Sequence, residues 1–253
     1  RLEHQEEGVE FSLAGEQLKQ FLLPRVAIST EETRYYLNGL YLCQRGDGLR
    51  TVATNGHILA LAEIDSPGVD LQGNSYIIPQ AAVLAIAALD SEKIDFRISK
   101  TAISCVSGNT HLYSRLIDGK FPDYERVLVP LEQCKSRAII GNMSEFAAIA
   151  RNVAIFKEKD IGLGIKIVPV DDGYEFVAAR ADKGVARDFY ECVPGTVTGG
   201  AAADYIQAAA AVIPGQATLY QSGARSPFLF LPGTPDDNEN PAVQFVLMPM
   251  HVW

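Results

Sequence analysis

The stretch "TVATNGHILALAEID" (residues 51–65) sets Asn55-Gly56 between two runs of strand-forming residues and places His57 directly after them. Asn and Gly both tolerate positive φ, so the dipeptide predicts a two-residue type I′ β-hairpin with His57 opening the return strand. A histidine at that position is ordinarily a half-exposed strand residue. The hairpin thus fixes shape, and any role for His57 depends on what surrounds it.

Working outward, "TRYYLNGLYLCQ" (33–44) and "GDGLR" (46–50) continue the strand-rich pattern, with Asn38-Gly39 and Gly46 as turn signals. Upstream, "GEQLKQFLLPRVAIS" (15–29) has Leu18, Phe21 and Leu22 at helical spacing, with Pro24 positioned to kink or shorten the helix. Downstream, "PQAAVLAIAALD" (79–90) predicts a helix with proline in its first turn. Strands follow again in "KIDFRISKTAISCVSGNTHLYSRLI" (93–117).

The second half repeats this order. Asn142 and Glu145 suggest a capping-box entry to "MSEFAAIARNVAIF" (143–156), followed by strands in "GIKIVPV" (164–170) and "GYEFVAARADKGVARDFYECV" (173–193). A second Ala-rich helix, "AAADYIQAAAAVIP" (201–214), precedes the closing strands "ATLYQSG", "SPFLFL" and "PAVQFVLMPM". Duplication is the simplest account: an α+β chain of two similar domains, 1–128 and 129–253, joined near the proline- and charge-rich "FPDYERVLVPLEQCKS" (121–136).

Composition agrees with this division. The 253 residues suffice for two domains of roughly 120 residues each, and an apolar content of 47% can supply a core to both. No stretch approaches the roughly 18 apolar residues of a membrane span, and the polar start "RLEHQEEGVEF" is unlike a signal peptide, so a soluble intracellular protein is expected. Cys43, Cys105, Cys134 and Cys192 are widely separated with no histidine at ligand spacing, which predicts reduced structural thiols and no metal site. A net charge of −9 argues against a protein basic over its whole surface, though it permits one basic face.

Four segments, "RYYLNGL" (34–40), "TVATNGHILA" (51–60), "DGKFPDYERVL" (118–128) and "VLMPM" (246–250), resemble, in order, the bacterial sliding clamp family, the β subunit of DNA polymerase III. They match the middle and C-terminal domains of a family that has three, so the family's N-terminal domain has no counterpart in this sequence. The resemblance implies tandem clamp domains, each packing two helices on antiparallel β-sheet, with six domains closing a ring around duplex DNA. It implies no catalysis and no cofactor. The clamp is a topological tether in the cytoplasm that holds DNA polymerase and clamp-loader subunits on DNA through their short linear motifs.

The same resemblance assigns a peptide-binding pocket to the positions of Leu37, Thr54, Gly56, His57, Leu59, Pro122, Val127, Val246, Leu247, Met248, Pro249 and Met250. Methionine and leucine offer a deformable apolar surface that suits several related side chains. His57 is then a wall of a peptide site and not a catalyst, and Arg126 matches a family arginine able to hold a partner's polar group. Several positions depart from the pattern: Asn55 and Ile58 stand where the family usually has Asp and Arg, and His251, Val252 and Trp253 follow Met250 where it usually ends Met-Arg-Leu. An altered, more apolar peptide preference is expected, with Trp253 covering part of the site.

A sliding ring should present cations to phosphates from its inner helices. Residues 79–89 carry none and 201–214 carry only Asp204 as a charge, which leaves Lys19, Arg25, Arg151, Lys157 and Lys159 as candidate DNA-facing residues. The other reading of these five is ordinary solvated helix ends. Ile155 and Phe156 match apolar residues at the family's subunit contact in a homo-oligomeric ring, or else are buried at the end of a helix within one domain. The four histidines fall in separate segments without a catalytic or phosphate-loop motif, which disfavours an enzyme. The bare inner helices support one rival reading, a clamp-like adaptor that binds clamp-motif peptides without encircling DNA.

Overall fold

Leu18, Phe21 and Leu22 form the buried stripe of helix α1 (Gly15–Leu22), and Pro24 converts the chain to a 3-10 turn over Leu23–Ala27, as its fixed φ and missing N–H dictate. The computed structural model describes residues 7–89, 91–156, 164–237 and 241–252 and divides into two units, Arg1–Tyr124 and Glu125–Trp253, just ahead of the boundary expected at 128.

The first unit runs β1 (Val9–Ala14), α1, β2 (Gly39–Arg45), β3 (Gly48–Thr54), β4 (Ile58–Ile64), β5 (Tyr76–Pro79), α2 (Gln80–Ala87), β6 (Lys93–Ile98), β7 (Ala102–Ser107) and β8 (Thr110–Arg115). Strands β1-β6-β7-β8 are hydrogen-bonded in that order, and so are β5-β2-β3-β4, all antiparallel. Alternation along β1 and β6 buries Phe11, Leu13, Ile94, Phe96 and Ile98, and the Phe96 ring stacks on Phe11 at 5.1 Å and meets Phe21 of α1 at 5.5 Å.

The second unit has the same element order: β9 (Ser136–Ile140), α3 (Met143–Val153), β10 (Gly164–Val170), β11 (Gly173–Arg180), β12 (Gly184–Glu191), β13 (Gly199–Ala202), α4 (Ala203–Val212), β14 (Ala217–Gln221), β15 (Phe228–Pro232) and β16 (Val243–Leu247). Its ladders, β9-β14-β15-β16 and β13-β10-β11-β12, are position for position those of the first unit. Asn142 caps α3 by accepting from the backbone N–H groups of Ser144 and Glu145 at 2.9 and 3.3 Å. Phe146 on α3 meets Phe176 and Tyr190 edge-on, joining helix to sheet, and the Gln207 side chain of α4 donates to the Ala147 carbonyl of α3. The duplication read from the sequence is therefore a duplication of α+β topology.

Two local expectations are corrected. Pro79 flanks α2 as its N-cap residue and is not in its first turn. The 51–65 hairpin does not close through a two-residue type I′ turn: Thr54 pairs with Leu59, Gly56 alone has positive φ (+90°), and His57 lies in the loop. The cause is the Asn55 side chain, whose Oδ1 accepts from the N–H groups of His57 and Ile58 at 2.9 and 3.0 Å and so builds an Asx turn with Asn55 at negative φ. The four cysteines are unpaired with one another, and burial pushes the Cys105 thiol up to about 11.

Candidate functional site

The loop after β3 is held from both sides. The Thr54 hydroxyl donates to the Ile58 carbonyl at 2.7 Å and accepts from the Gly56 N–H at 3.1 Å, which leaves Gly56 and His57 exposed at the tip. Sequence reading passed over Arg34. Its guanidinium is held in a fork by Glu31, donates to the Asn55 carbonyl at 3.1 Å, and lies where a Cβ on Gly56 would stand, 2.6 Å from Nη1. The hydrogen bond from Arg34 holds the Glu31 carboxyl below its usual range, against the opposing effect of desolvation. The available signal was its place at the head of "RYYLNGL", the marker segment that also holds Leu37, an expected peptide contact.

Among the expected peptide-contact residues of the first unit, Leu37 and Leu59 are buried at 4% and 2% exposure, Thr54 is half-buried, and Gly56, His57 and Pro122 are exposed. In the second unit, Arg126 is exposed and Val127 half-buried, Val246 and Leu247 are core residues of β16, and Met248, Pro249 and Met250 are half-buried after the strand ends. The four buried residues, Leu37, Leu59, Val246 and Leu247, are core to their own units, and only the exposed and half-buried members are accessible.

Pro249 and Met250 border a cleft of about 440 Å³ in the second unit, whose other walls are Lys166, Gly199, Gly200 and Arg225, with His251 and Val252. The segment after β16 crosses this floor and is pinned there by the Met250 N–H donating to the Gly200 carbonyl at 2.8 Å. Such an approach needs glycine: a Cβ on Gly200 would stand 2.4 Å from the Met250 carbonyl oxygen, and one on Gly164 would stand 2.5 Å from Val252 Cγ1. Lys166 and Arg225 have no ion-pair partner among the described residues. This cleft, which contains Pro249 and Met250 of the expected peptide contacts, therefore carries two cations at its border, a combination suited to an apolar side chain beside a carboxylate. Trp253, expected to cover the site, lies outside the described residues.

Of the candidate DNA-facing residues, Lys19 pairs with Glu16 at 3.7 Å, both highly exposed, and Arg25 donates to the Leu22 carbonyl at 2.9 Å. Arg151 is exposed near the end of α3, and Lys157 and Lys159 lie outside the described residues. Ile155 is 73% exposed and Phe156 half-buried, so the helix-end burial considered for the pair fails for Ile155. Among the described residues no group of His, Cys, Asp or Glu could hold a metal ion, and no helix is long and apolar enough to cross a membrane.

Comparison with known proteins places this geometry in context. Residues 12–123 match the family described as DNA polymerase III beta subunit, central domain. The beta sliding clamp of Caulobacter vibrioides (strain NA1000 / CB15N) is 34% identical over 240 residues, which cover 90% of this chain and 62% of that protein. The solved sliding clamp (DNA polymerase III subunit beta) from Bartonella birtlesii, bound to griselimycin, is 32% identical with a TM-score of 0.85 over 100% of this chain and 68% of that one. The DNA polymerase III subunit beta from Pseudomonas aeruginosa is 25% identical with a TM-score of 0.86, over 99% of this chain and 69% of that one. The chain thus spans 62% of the length of the curated Caulobacter relative. With two units of one topology and this likeness over its full length, the chain belongs to the DNA polymerase III β subunit, or sliding clamp, family.

Proposed function

We propose that this chain serves as a sliding clamp: a non-catalytic, ring-forming processivity factor in the cytoplasm that encloses duplex DNA and tethers DNA polymerase and clamp-loader subunits through short linear peptides. The observation that carries the reading is the duplicated α+β unit with its marker segments, in a chain that belongs to the clamp family. On this reading no cofactor is needed, because processivity comes from topology and not from chemistry. The 440 Å³ cleft beside Pro249 and Met250 accepts an apolar side chain of the partner peptide, with Lys166 and Arg225 meeting its carboxylates. The remaining expected peptide contacts are Leu37, Thr54, Gly56, His57, Leu59, Pro122, Arg126, Val127, Val246, Leu247 and Met248, and Ile155 with Phe156 meets a neighbouring subunit.

Two measurements test it. Griselimycin, which is bound to the B. birtlesii clamp, should bind this protein and displace a fluorescein-labelled hexapeptide ending in leucine and phenylalanine. Retention on nicked circular DNA, after incubation with a clamp loader, should vanish when the circle is linearised. A second reading is favoured by one observation: α2 has no charged residue and α4 has only Asp204, so neither helix attracts phosphate. That reading is a clamp-like adaptor that binds peptides without enclosing DNA, and peptide binding without any retention on circles would select it.

A further inference from the structure

The first unit has a cleft at the place where the second unit has the one beside Met250. In the second unit, Lys166 of β10 pairs with Gly200 of β13, and the chain leaving β16 donates from the Met250 N–H to the Gly200 carbonyl. In the first, Tyr41 of β2 pairs with Ile77 of β5, and the chain leaving β8 donates from the Ile117 N–H to the Ile77 carbonyl at 2.9 Å. The turn after β14 brings Arg225 to one cleft, and the turn after β6 brings Lys100 to the other. The cleft of the first unit is the larger, about 910 Å³.

Its chemistry differs. Methionine and proline are absent from its lining, which has three cations, Lys100, Arg115 and Lys120, one carboxylate, Asp118, and tyrosine rings including Tyr41 and Tyr113. All three cations are exposed, and none has an ion-pair partner among the described residues. In a chain of net charge −9, three unpaired cations round one concave surface are a local reversal of sign, and a cleft focuses such a field. Along one side runs β5, whose Ile77 carbonyl is already taken by the Ile117 N–H, so recognition in this cleft rests on its side chains.

We propose that this cleft binds an extended acidic peptide segment, whose spaced carboxylates are taken by Lys100, Arg115 and Lys120. A peptide fits better than a phosphodiester strand. Asp118 stands among the cations and would repel a continuous row of phosphates, whereas a peptide can turn a backbone N–H to it. The exposed Tyr113 ring offers apolar surface to a side chain between the carboxylates. The inference goes beyond the peptide site proposed for the second unit and holds even where that cleft binds nothing, since it rests on residues the second unit does not share.

The test is fluorescence anisotropy on the full chain with fluorescein-labelled Glu-Leu-Asp-Tyr-Glu-Leu at low salt. Saturable binding is expected, weakening about tenfold on moving to physiological salt. The triple variant Lys100→Glu, Arg115→Glu, Lys120→Glu should lose at least about tenfold in affinity with an unchanged melting curve, because all three side chains are exposed. Asp118→Asn should tighten binding, and the pair Lys166→Glu, Arg225→Glu should leave it unchanged. Griselimycin binding, read separately, tests the peptide site proposed above, so that its failure is distinguishable from failure of this cleft. The proposal is overturned by absence of saturable binding, by full binding in the triple variant, or by a loss that follows Lys166 and Arg225 instead. An oligothymidine that binds more tightly than the peptide and is lost in the same triple variant would overturn it in favour of a phosphate site.

Discussion

Arg50, 4% exposed on β3, donates from Nη1 to the hydroxyl of Tyr124 at 3.1 Å, so the last residue of the first unit is tied to the middle of its sheet. The same guanidinium bonds Glu63 on β4, and Tyr124 in turn touches Cys43 Sγ at 3.7 Å and the Tyr41 ring edge-on. Burial works against the Arg50 charge, but the bonds to Glu63 and Tyr124 outweigh it and hold its pKa above the ordinary guanidinium value. Tyr124→Phe removes the hydroxyl that Nη1 of this buried guanidinium donates to and should cost about 2 kcal/mol of stability in urea denaturation. Arg50→Met combined with Tyr124→Phe should recover only part of that loss, because the buried donor is gone but the half-buried Glu63 carboxylate then lacks the guanidinium it pairs with. Equal loss in the single and double variants would show that the bond contributes nothing beyond packing.

The tyrosines give stability an alkaline limit. Burial pushes Tyr124 up to about 12 against the opposing hydrogen bond from Arg50, and pushes Tyr174 up to about 12 against the bond from the Gly195 N–H. The fold binds these protons more tightly than the unfolded chain, whose tyrosines titrate near 10. Their contribution is therefore complete below pH 10 and is lost as pH rises from 10 to 12. The melting temperature should fall steadily over that window, with phenolate absorbance developing late, and Tyr174→Phe should flatten the fall. A melting temperature flat from pH 10 to 12 would refute the assignment.

The elements that local chemistry decides were legible in the sequence. Pro24 ends α1, Asn142 caps α3, and the repeated order of helices and strands gives the duplicated topology because each signal acts within a few residues. The turn at Asn55 was misread because a side-chain bond competes with a backbone preference, and Asn satisfies either. The clefts were legible only in fragments, since of the second unit's cleft the resemblance supplied Pro249 and Met250 and little else. Lys166 looks like any outward residue of an alternating strand and Arg225 like any loop cation, and only sheet pairing brings them to one place. The adjacent Gly199-Gly200 was a further available trace, since paired glycines beside a strand mark close backbone approach.

Gly200→Ala tests the second unit's cleft directly. Its Cβ would meet the Met250 carbonyl oxygen at 2.4 Å, a backbone atom that cannot step aside as a side-chain tip can. The segment from Met250 to Val252 should lift from the floor, with griselimycin affinity falling at least about tenfold while the melting temperature moves little, because the segment lies outside the core. Gly215→Ala, where a Cβ meets nothing within 4 Å, is the matched control. Unchanged affinity in Gly200→Ala would separate the cleft from ligand binding.

Ile155 offers a test of self-association. At 73% exposure it gains little from its own unit, so Ile155→Asp should shift stability by no more than about 0.5 kcal/mol. A contact that buries it against a neighbouring subunit should instead weaken by about tenfold or more, read as a lower mass in sedimentation at fixed concentration. A variant that assembles as before would remove Ile155 from the interface.

Gly56 and Arg34 separate backbone strain from crowding. At φ +90° an alanine is strained whatever the space around it, and its Cβ would also lie 2.6 Å from Arg34 Nη1. That contact is with the far end of a flexible side chain, which can rotate away by giving up the Asn55 carbonyl. Gly56→Ala should therefore cost about 1 kcal/mol, nearly all of it from φ. Made in an Arg34→Ala background, the same substitution should cost almost as much, within about 0.5 kcal/mol on chemical denaturation. If instead the cost disappears when Arg34 is removed, the guanidinium is a fixed wall of the turn, and the glycine is there to admit it rather than to make the bend.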